Sequence, residues 1–180
     1  PKHIELCILI DTWWCEEGMR YGLTCDMLRK LHEGDSVICR VKPGSMEGTN
    51  HQQPGKLFLS LYSVHYNSFM HSVRFLTLSA HTHAVVCVGI GSGLAPHMSF
   101  LRERVHAATH LGVDVAPFSL YFGNRFRERE FLYRDELEII ATEHCRWFTL
   151  HTAFSRDGKK KVYVQDLVAV TDDARRLLLE

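Results

Sequence analysis

Hydrophobic positions in the second half of this chain form short continuous runs separated by stretches with helical spacing. Ala84-Val-Val-Cys-Val88 is an apolar, β-branched run of strand length, and it leads into Gly89-Ile-Gly-Ser-Gly-Leu-Ala-Pro96. Met98, Leu101, Val105 and Ala108 then recur on one helix face. Pro96 suits the first turn of that helix, where a missing N–H costs nothing, and Gly112 suits its end. Further on, the pattern predicts a strand at Phe118 to Phe122, a turn at Gly123-Asn124-Arg125, a helix over Leu132 to Thr142 and a strand near Trp147 to Leu150. Strands alternating with helices predict an α/β fold on an open parallel sheet.

The first half is patterned differently. His3 to Ile10 reads as a strand, and Thr24 as the N-cap of a helix with Met27, Leu28 and Leu31 on its apolar face and Gly34 at its end. Val37 to Val41 and Lys56 to Val64 read as strands on either side of the turn-rich KPGSMEGTNHQQPG, and a histidine-dotted stretch follows. This change of character places a domain boundary near His81, dividing residues 1–81 from 82–180.

Candidate chemistry gathers where the predicted strands end. Glycines 89, 91 and 93 let backbone approach a ligand closely, the helix start behind them offers free N–H groups to a pyrophosphate, and Ser92 adds a hydroxyl. The spacing is GxGxG, not the dinucleotide fingerprint GxGxxG, so this signal is weak by itself. The stretch AFSRDGKKKVYVQDL, Ala153 to Leu167, is more specific: Ser155, Arg156, Lys161, Tyr163 and Gln165 combine a hydroxyl, a guanidinium fork, an ammonium and a flat ring. That set suits a ribose 2′-phosphate, and so NADPH before NADH. A solvated basic loop is the alternative, and for Lys159 and Lys160 it is the preferred one. Each candidate follows a strand, and ligands of open parallel sheets sit beyond the carboxyl ends of the strands. Ser92, Arg125, Ser155 and Arg156 are therefore expected on one rim.

Taken together, these segments resemble the NADPH-binding end of the ferredoxin reductase superfamily, specifically the diflavin reductases of the cytochrome P-450 reductase and sulfite reductase flavoprotein type. The resemblance is carried by VGIGSGLAPHMSFLRER (Val88 to Arg104), LYFGNRFRERE-FLYRDEL (Leu120 to Leu137) and AFSRDGKKKVYVQ (Ala153 to Gln165). It implies a parallel-sheet NADP-binding domain over 82–180, truncated before its last strand, after the C-terminal part of an antiparallel β-barrel FAD-binding domain over 1–81. It also implies that Ser92 contacts the pyrophosphate side, Arg125 the adenosine side, and Ser155, Arg156, Lys161, Tyr163 and Gln165 the 2′-phosphoadenosine.

Gly22-Leu-Thr-Cys-Asp-Met-Leu28 resembles the family segment whose helix start receives the FAD pyrophosphate, which makes Gly22, Leu23, Thr24 and Cys25 the implied FAD contacts. Cys25 stands where the family usually has Ser or Thr and is a poorer donor; an ordinary capped helix between two strands accounts for the same residues. Asn124 likewise stands where a cysteine is common, and Lys42 to Thr82 is longer than its family counterpart. The family's Arg-x-Tyr-Ser element would precede residue 1, and its Cys-Gly segment and terminal aromatic would follow Glu180. The chain is thus expected to be a fragment without the residues of hydride transfer.

Two functions follow. In the first, an oxidoreductase takes hydride from NADPH to FAD and passes electrons through the FMN domain of the same full-length chain to a haem or metal-containing acceptor, the fragment alone being inactive. In the second, the fold persists as a catalytically incompetent nucleotide-binding or docking module, which Cys25 and Asn124 favour slightly.

Composition narrows the setting. Lys plus Arg and Asp plus Glu both number 21, so no positive field favours nucleic acid. Six cysteines without a CxxC pair, several in apolar runs, fit buried reduced thiols and an intracellular place, either cytoplasmic or on the cytosolic face of the endoplasmic reticulum if the parent carries an anchor. No apolar run reaches the roughly 18–20 residues of a membrane span, and PKHIELCILIDTWW lacks a signal-peptide architecture. The twelve histidines, His65, His71, His81 and His83 among them, match no metal template, so no metal is expected. Trp13 and Trp14 read as core and interface, and Glu128, Glu130, Asp135 and Glu136 as solvated charge near a helix start. Tyr133 to Leu137 is expected to pack and orient the helix beneath the rim.

Overall fold

The computed structural model describes residues 5–38, 58–62, 81 and 84–172. The chain divides into two compact units, Pro1–Gly44 and Ser45–Glu180.

The larger unit is built on a four-stranded sheet in the order β3-β4-β5-β6, with β3 at Phe58–Tyr62, β4 at Val85–Ile90, β5 at Phe118–Asn124 and β6 at Phe148–Phe154. Every pairing is parallel, with Tyr62 opposite Gly89, Ile90 opposite Gly123 and Asn124 opposite Phe154. Between the strands lie helices α2 (Ala95–His110), α3 (Arg127–Glu130) and α4 (Arg134–Glu143), with α5 (Val164–Val170) after β6.

Side chains on alternate strand positions face opposite ways, and both faces here are covered, which is why β4 and β5 are buried along nearly all of their length. One face buries Val85, Cys87, Phe118, Leu120 and Phe122 with Met98 and Leu101 of α2 and Leu137 and Ile140 of α4. The other buries Val86, Val88, Tyr121 and Ala153 with Val164 of α5. This is the α/β architecture expected from the alternation.

Particular expectations shift. The strand near Trp147 to Leu150 continues to Phe154, and the turn at Gly123 begins only at Arg125, because β5 and β6 pair to their last residues. Helix α2 ends at His110, with Gly112 in the left-handed region at φ 64°. Its buried side is His97, Met98, Leu101, Arg104 and Ala107, while Val105 and Ala108 are only half-buried. Arg104 lies inside because its Nη1 donates to Ala116 O at 2.6 Å and its guanidinium lies over the Phe118 ring. Lys56 to Val64 yields β3, whose parallel pairing with β4 places it in the larger unit, and the compact units divide at Gly44.

In the smaller unit the described residues hold one antiparallel hairpin, β1 (Thr12–Cys15) with β2 (Gly18–Tyr21), followed by α1 (Leu23–Leu28). Residues 5–10 form no strand, and neither do Val37 and Ile38; the rest of those two expected strands lies outside the described residues. Gly22, not Thr24, is the N-cap of α1; Arg29 ends it, and no residue of it is buried. Gly34 sits beyond, in a turn at φ 96° where Asp35 N–H donates to His32 O. Trp13 and Trp14 lie within β1, half and three-quarters exposed, so they form no core there.

Candidate functional site

The carboxyl ends of β4, β5 and β6 lie side by side, and the segments leaving them build the candidate site. After Ile90 the chain enters a 3₁₀ turn at Gly91–Leu94 that runs directly into α2, with Pro96 in the first turn. Gly91 has φ 54°, and a Cβ there would meet open space. Gly89 serves a different purpose from the one expected. A Cβ on it would lie 3.0 Å from Leu94 Cα and 3.3 Å from His97 Cδ2, so its missing side chain admits the protein's own turn. Ser92 is half-buried in that turn, and Gly93 is buried.

His97 fills the space beneath. Its Nε2 lies 3.1 Å from Val88 O, while Nδ1 is buried without a partner. The acceptor role of the carbonyl assigns the proton to Nε2. Burial pushes the imidazole pKa down to about 4, partly offset by the Val88 bond.

At the second strand end, Asn124 locks the turn: its Oδ1 accepts Arg125 N–H and its Nδ2 donates to Glu130 O, both at 2.9 Å. Glu130 collects four donors. Its Oε2 accepts the backbone N–H of Arg125 and Phe126 at 3.1 and 3.3 Å and Arg125 Nε–H at 3.2 Å, and its Oε1 accepts Arg125 Nη2–H at 2.6 Å. Partial burial pushes the Glu130 carboxyl up, but these bonds outweigh it and hold the group below its ordinary value.

The third strand end is tied to the second. Ser155 N–H donates to Asn124 O at 3.0 Å and Arg156 N–H to Arg125 O at 2.8 Å. Asp157 turns its carboxylate onto Arg127 N–H, at 3.0 and 3.2 Å, at the start of α3. Arg127 in turn reaches Thr152 Oγ1 at 2.9 Å and lies over the Phe154 ring. Arg125, Ser155 and Arg156 are thus brought together by backbone bonds.

Lys161 and Tyr163 lead into α5, and Gln165 lies in its first turn. Tyr163 is the N-cap of that helix, its N–H bonded to the Asp166 carboxylate at 2.9 Å. Val164 then packs on the last turn of β5, where a Cβ on Gly123 would fall 2.3 Å from Val164 Cγ2. Lys161 and Gln165 are exposed, and Tyr163 is 42% exposed, which leaves its ring open to a flat ligand.

Charge is distributed unevenly along the rim. Arg125 pairs with Glu130, Arg127 with Glu138, Arg134 with Glu128 and Glu138, and Arg102 with Glu136 through two bonds of 2.7 Å. Glu128, Glu130 and Glu136 are therefore ion-pair partners and not merely solvated charge. Arg156 and Lys161 are exposed and have no ion pair among the described residues. The sequence pattern read Glu130 only as solvated charge and did not single out Asp157, Arg127 and His97. The only signal for Glu130 was an acidic residue in the turn that follows an arginine at a strand end.

Gly22, Leu23, Thr24 and Cys25 lie in the smaller unit, at the start of α1. Thr24 and Leu23 are exposed, and the Cys25 thiol is directed to Leu9 O at 3.4 Å. No group of three or more His, Cys, Asp or Glu fit to hold a metal exists among the described residues. His65, His71 and His83 lie outside them, as does Cys39. Cys15, Cys25, Cys87 and Cys145 are free; among the described cysteines only Cys87 is buried, which pushes its thiol up to about 12, and Cys15 and Cys145 are exposed. No described helix is long and apolar enough to cross a membrane.

Residues 86–175 match the family model of the oxidoreductase NAD-binding domain. The chain is 36% identical to the mitochondrial pyruvate dehydrogenase [NADP(+)] of Euglena gracilis over 174 residues, 96% of this chain and 8% of that protein. It is 39% identical to the inducible nitric oxide synthase of Mus musculus over 172 residues, 93% of this chain and 12% of that protein. It is 41% identical to the NADPH–cytochrome P-450 reductase of Emericella nidulans over 81 residues, 45% of this chain and 12% of that protein. The chain thus spans about a tenth of the length of these relatives.

Proposed function

We propose a function that proceeds from the family, because the chain belongs to the oxidoreductase NAD-binding domain family: it is the NADP-binding part of a diflavin-reductase-type enzyme. The observation that carries this reading is the contrast on the rim. Arg125, Arg127 and Arg134 are matched by carboxylates, while Arg156 next to Ser155, Lys161 in the same loop, Lys159, Lys160 and Arg129 are exposed and have no ion pair among the described residues. Two free cations and a hydroxyl suit a dianionic 2′-phosphate, which a 2′-hydroxyl does not require. The names of two relatives, which carry NADP(+) and NADPH, support the same preference.

In this reading Ser155, Arg156, Lys161 and Gln165 hold the 2′-phosphoadenosine, the Tyr163 ring supplies a flat surface for it, Arg125 meets the adenosine, and Ser92 meets the pyrophosphate. The open, left-handed Gly91 leaves backbone accessible next to Ser92. When bound, NADPH supplies a hydride that FAD accepts. The residues of this chain bind and orient the nucleotide.

The full-length parent would pass electrons through FAD and FMN to a haem or metal-containing acceptor. The smaller unit, with its hairpin and α1, would belong to the end of an antiparallel barrel that holds FAD, with Gly22, Leu23, Thr24 and Cys25 at its pyrophosphate. Because the Cys25 thiol already faces Leu9 O, backbone N–H groups at the start of α1 are the better contacts there. The free cysteines fit a reducing, intracellular setting, in the cytoplasm or on the cytosolic face of the endoplasmic reticulum.

Calorimetric titration with 2′,5′-ADP and with 5′-AMP tests the reading, since the two differ only in the 2′-phosphate. We expect a preference for 2′,5′-ADP of about tenfold or more, roughly 1.4 kcal/mol. Equal or absent binding would make the Ser155–Lys161 segment a charged loop, and the chain a docking module without a competent nucleotide site.

A further inference from the structure

We propose that Glu130 is a positioning residue for the nucleotide: it takes up one edge of the Arg125 guanidinium and leaves the other edge for the ligand. The inference rests on the nucleotide reading above and adds a residue to that site. A guanidinium carries five N–H donors in a rigid fork. Glu130 accepts Nε–H and one Nη2–H of Arg125, at 3.2 and 2.6 Å, and so occupies one side of the fork. Nη1 has no partner among the described residues.

The carboxylate is the fixed member of the pair. Its side chain is 19% exposed against 55% for Arg125, and the backbone N–H groups of Arg125 and Phe126 grip it. Asn124 closes the same turn by donating to Glu130 O at 2.9 Å. The loop therefore holds Glu130, and Glu130 aims the arginine.

Pairing also cancels much of the Arg125 charge. A neutralised, flat guanidinium recognises a ligand by its edge and face more than by net attraction. Selection by charge is left to Arg156 and Lys161, which have no such partner.

A double-mutant cycle read by titration with 2′,5′-ADP tests this. We expect Glu130→Gln to weaken binding at least fivefold in the otherwise unaltered chain, and less than twofold when Arg125 is already Ala. An equal loss in both backgrounds would show that Glu130 only shapes the loop, and would overturn the proposal. So would unchanged binding, or tighter binding, which would make Glu130 a competitor for Arg125.

Arg125→Lys keeps the charge pair without the fork and spares Glu130, so it serves if Glu130→Gln does not fold. It is expected to bind as weakly as Arg125→Ala, and binding like the unaltered chain would overturn the proposal. If Arg125→Ala binds normally, Arg125 is outside the pocket and this inference fails, whereas the nucleotide reading is decided separately by Arg156→Ala.

Discussion

Arg156 and Lys161 lack the carboxylate partners that Arg125, Arg127 and Arg134 have, and this is where discrimination between nucleotides is to be sought. Removing a charge-assisted bond to an ionised group costs about 2 kcal/mol. Arg156→Ala is expected to weaken 2′,5′-ADP binding by that amount and 5′-AMP binding little; equal losses measured by calorimetry would remove Arg156 from the 2′-phosphate. His97 makes a prediction about stability. Its folded pKa of about 4 lies below the ordinary 6.5, so between those values the unfolded chain binds more protons. Stability is then lost as pH falls from about 6.5 toward 4, by roughly 3 kcal/mol at the acid end. Urea unfolding at pH 7 and pH 4.5 should show this loss, and a His97→Gln variant should show less of it. Serine, arginine and lysine could be picked out of the sequence because their chemistry is local to one loop. His97 and Glu130 could not, since the Val88 carbonyl and the Arg125 fork that define them come from the folded strand ends.

Helix α5 shows how one small residue sets the position of an element. Gly123, the next-to-last residue of β5, has no side chain, and Val164 occupies the space, which fixes the start of α5 between Tyr163 and Gln165. A Cβ 2.3 Å from Val164 Cγ2 must displace the helix or the strand. Gly123→Ala is expected to cost about 1–3 kcal/mol of stability through overpacking and to weaken 2′,5′-ADP severalfold. Unchanged binding would mean that Val164 moves aside without carrying Tyr163 with it. Most elements of the larger unit could be read from hydrophobic period, because strands covered on both faces must be apolar throughout. The short α3 could not, since Arg127 to Glu130 has no apolar face and its start is held by Asp157 from a distant loop. In the smaller unit Thr24 looked like a cap by type alone, but the backbone placed Gly22 there.

For the molecule as a whole, a ligand that binds only the folded state must stabilise it. At a hundred times its dissociation constant, 2′,5′-ADP should add about 2.7 kcal/mol and raise the melting temperature, while an unchanged melting temperature would argue against a site on the folded rim. Covering both faces of a parallel sheet takes helices between strands, and that order is written in the chain. The sequence therefore determined the α/β class, the run of strands and helices from Val85 onward, and the candidate cations of the Ser155 loop, because each depends on residues close together. Tertiary structure alone decided that β3 joins this sheet, that Gly89 makes room for Leu94 and His97, and that Arg125 is held by Glu130 while Arg156 stays free. The reason is physical: pairing, close packing and charge neutralisation are settled between segments far apart in the chain, and periodicity records only what each segment does alone.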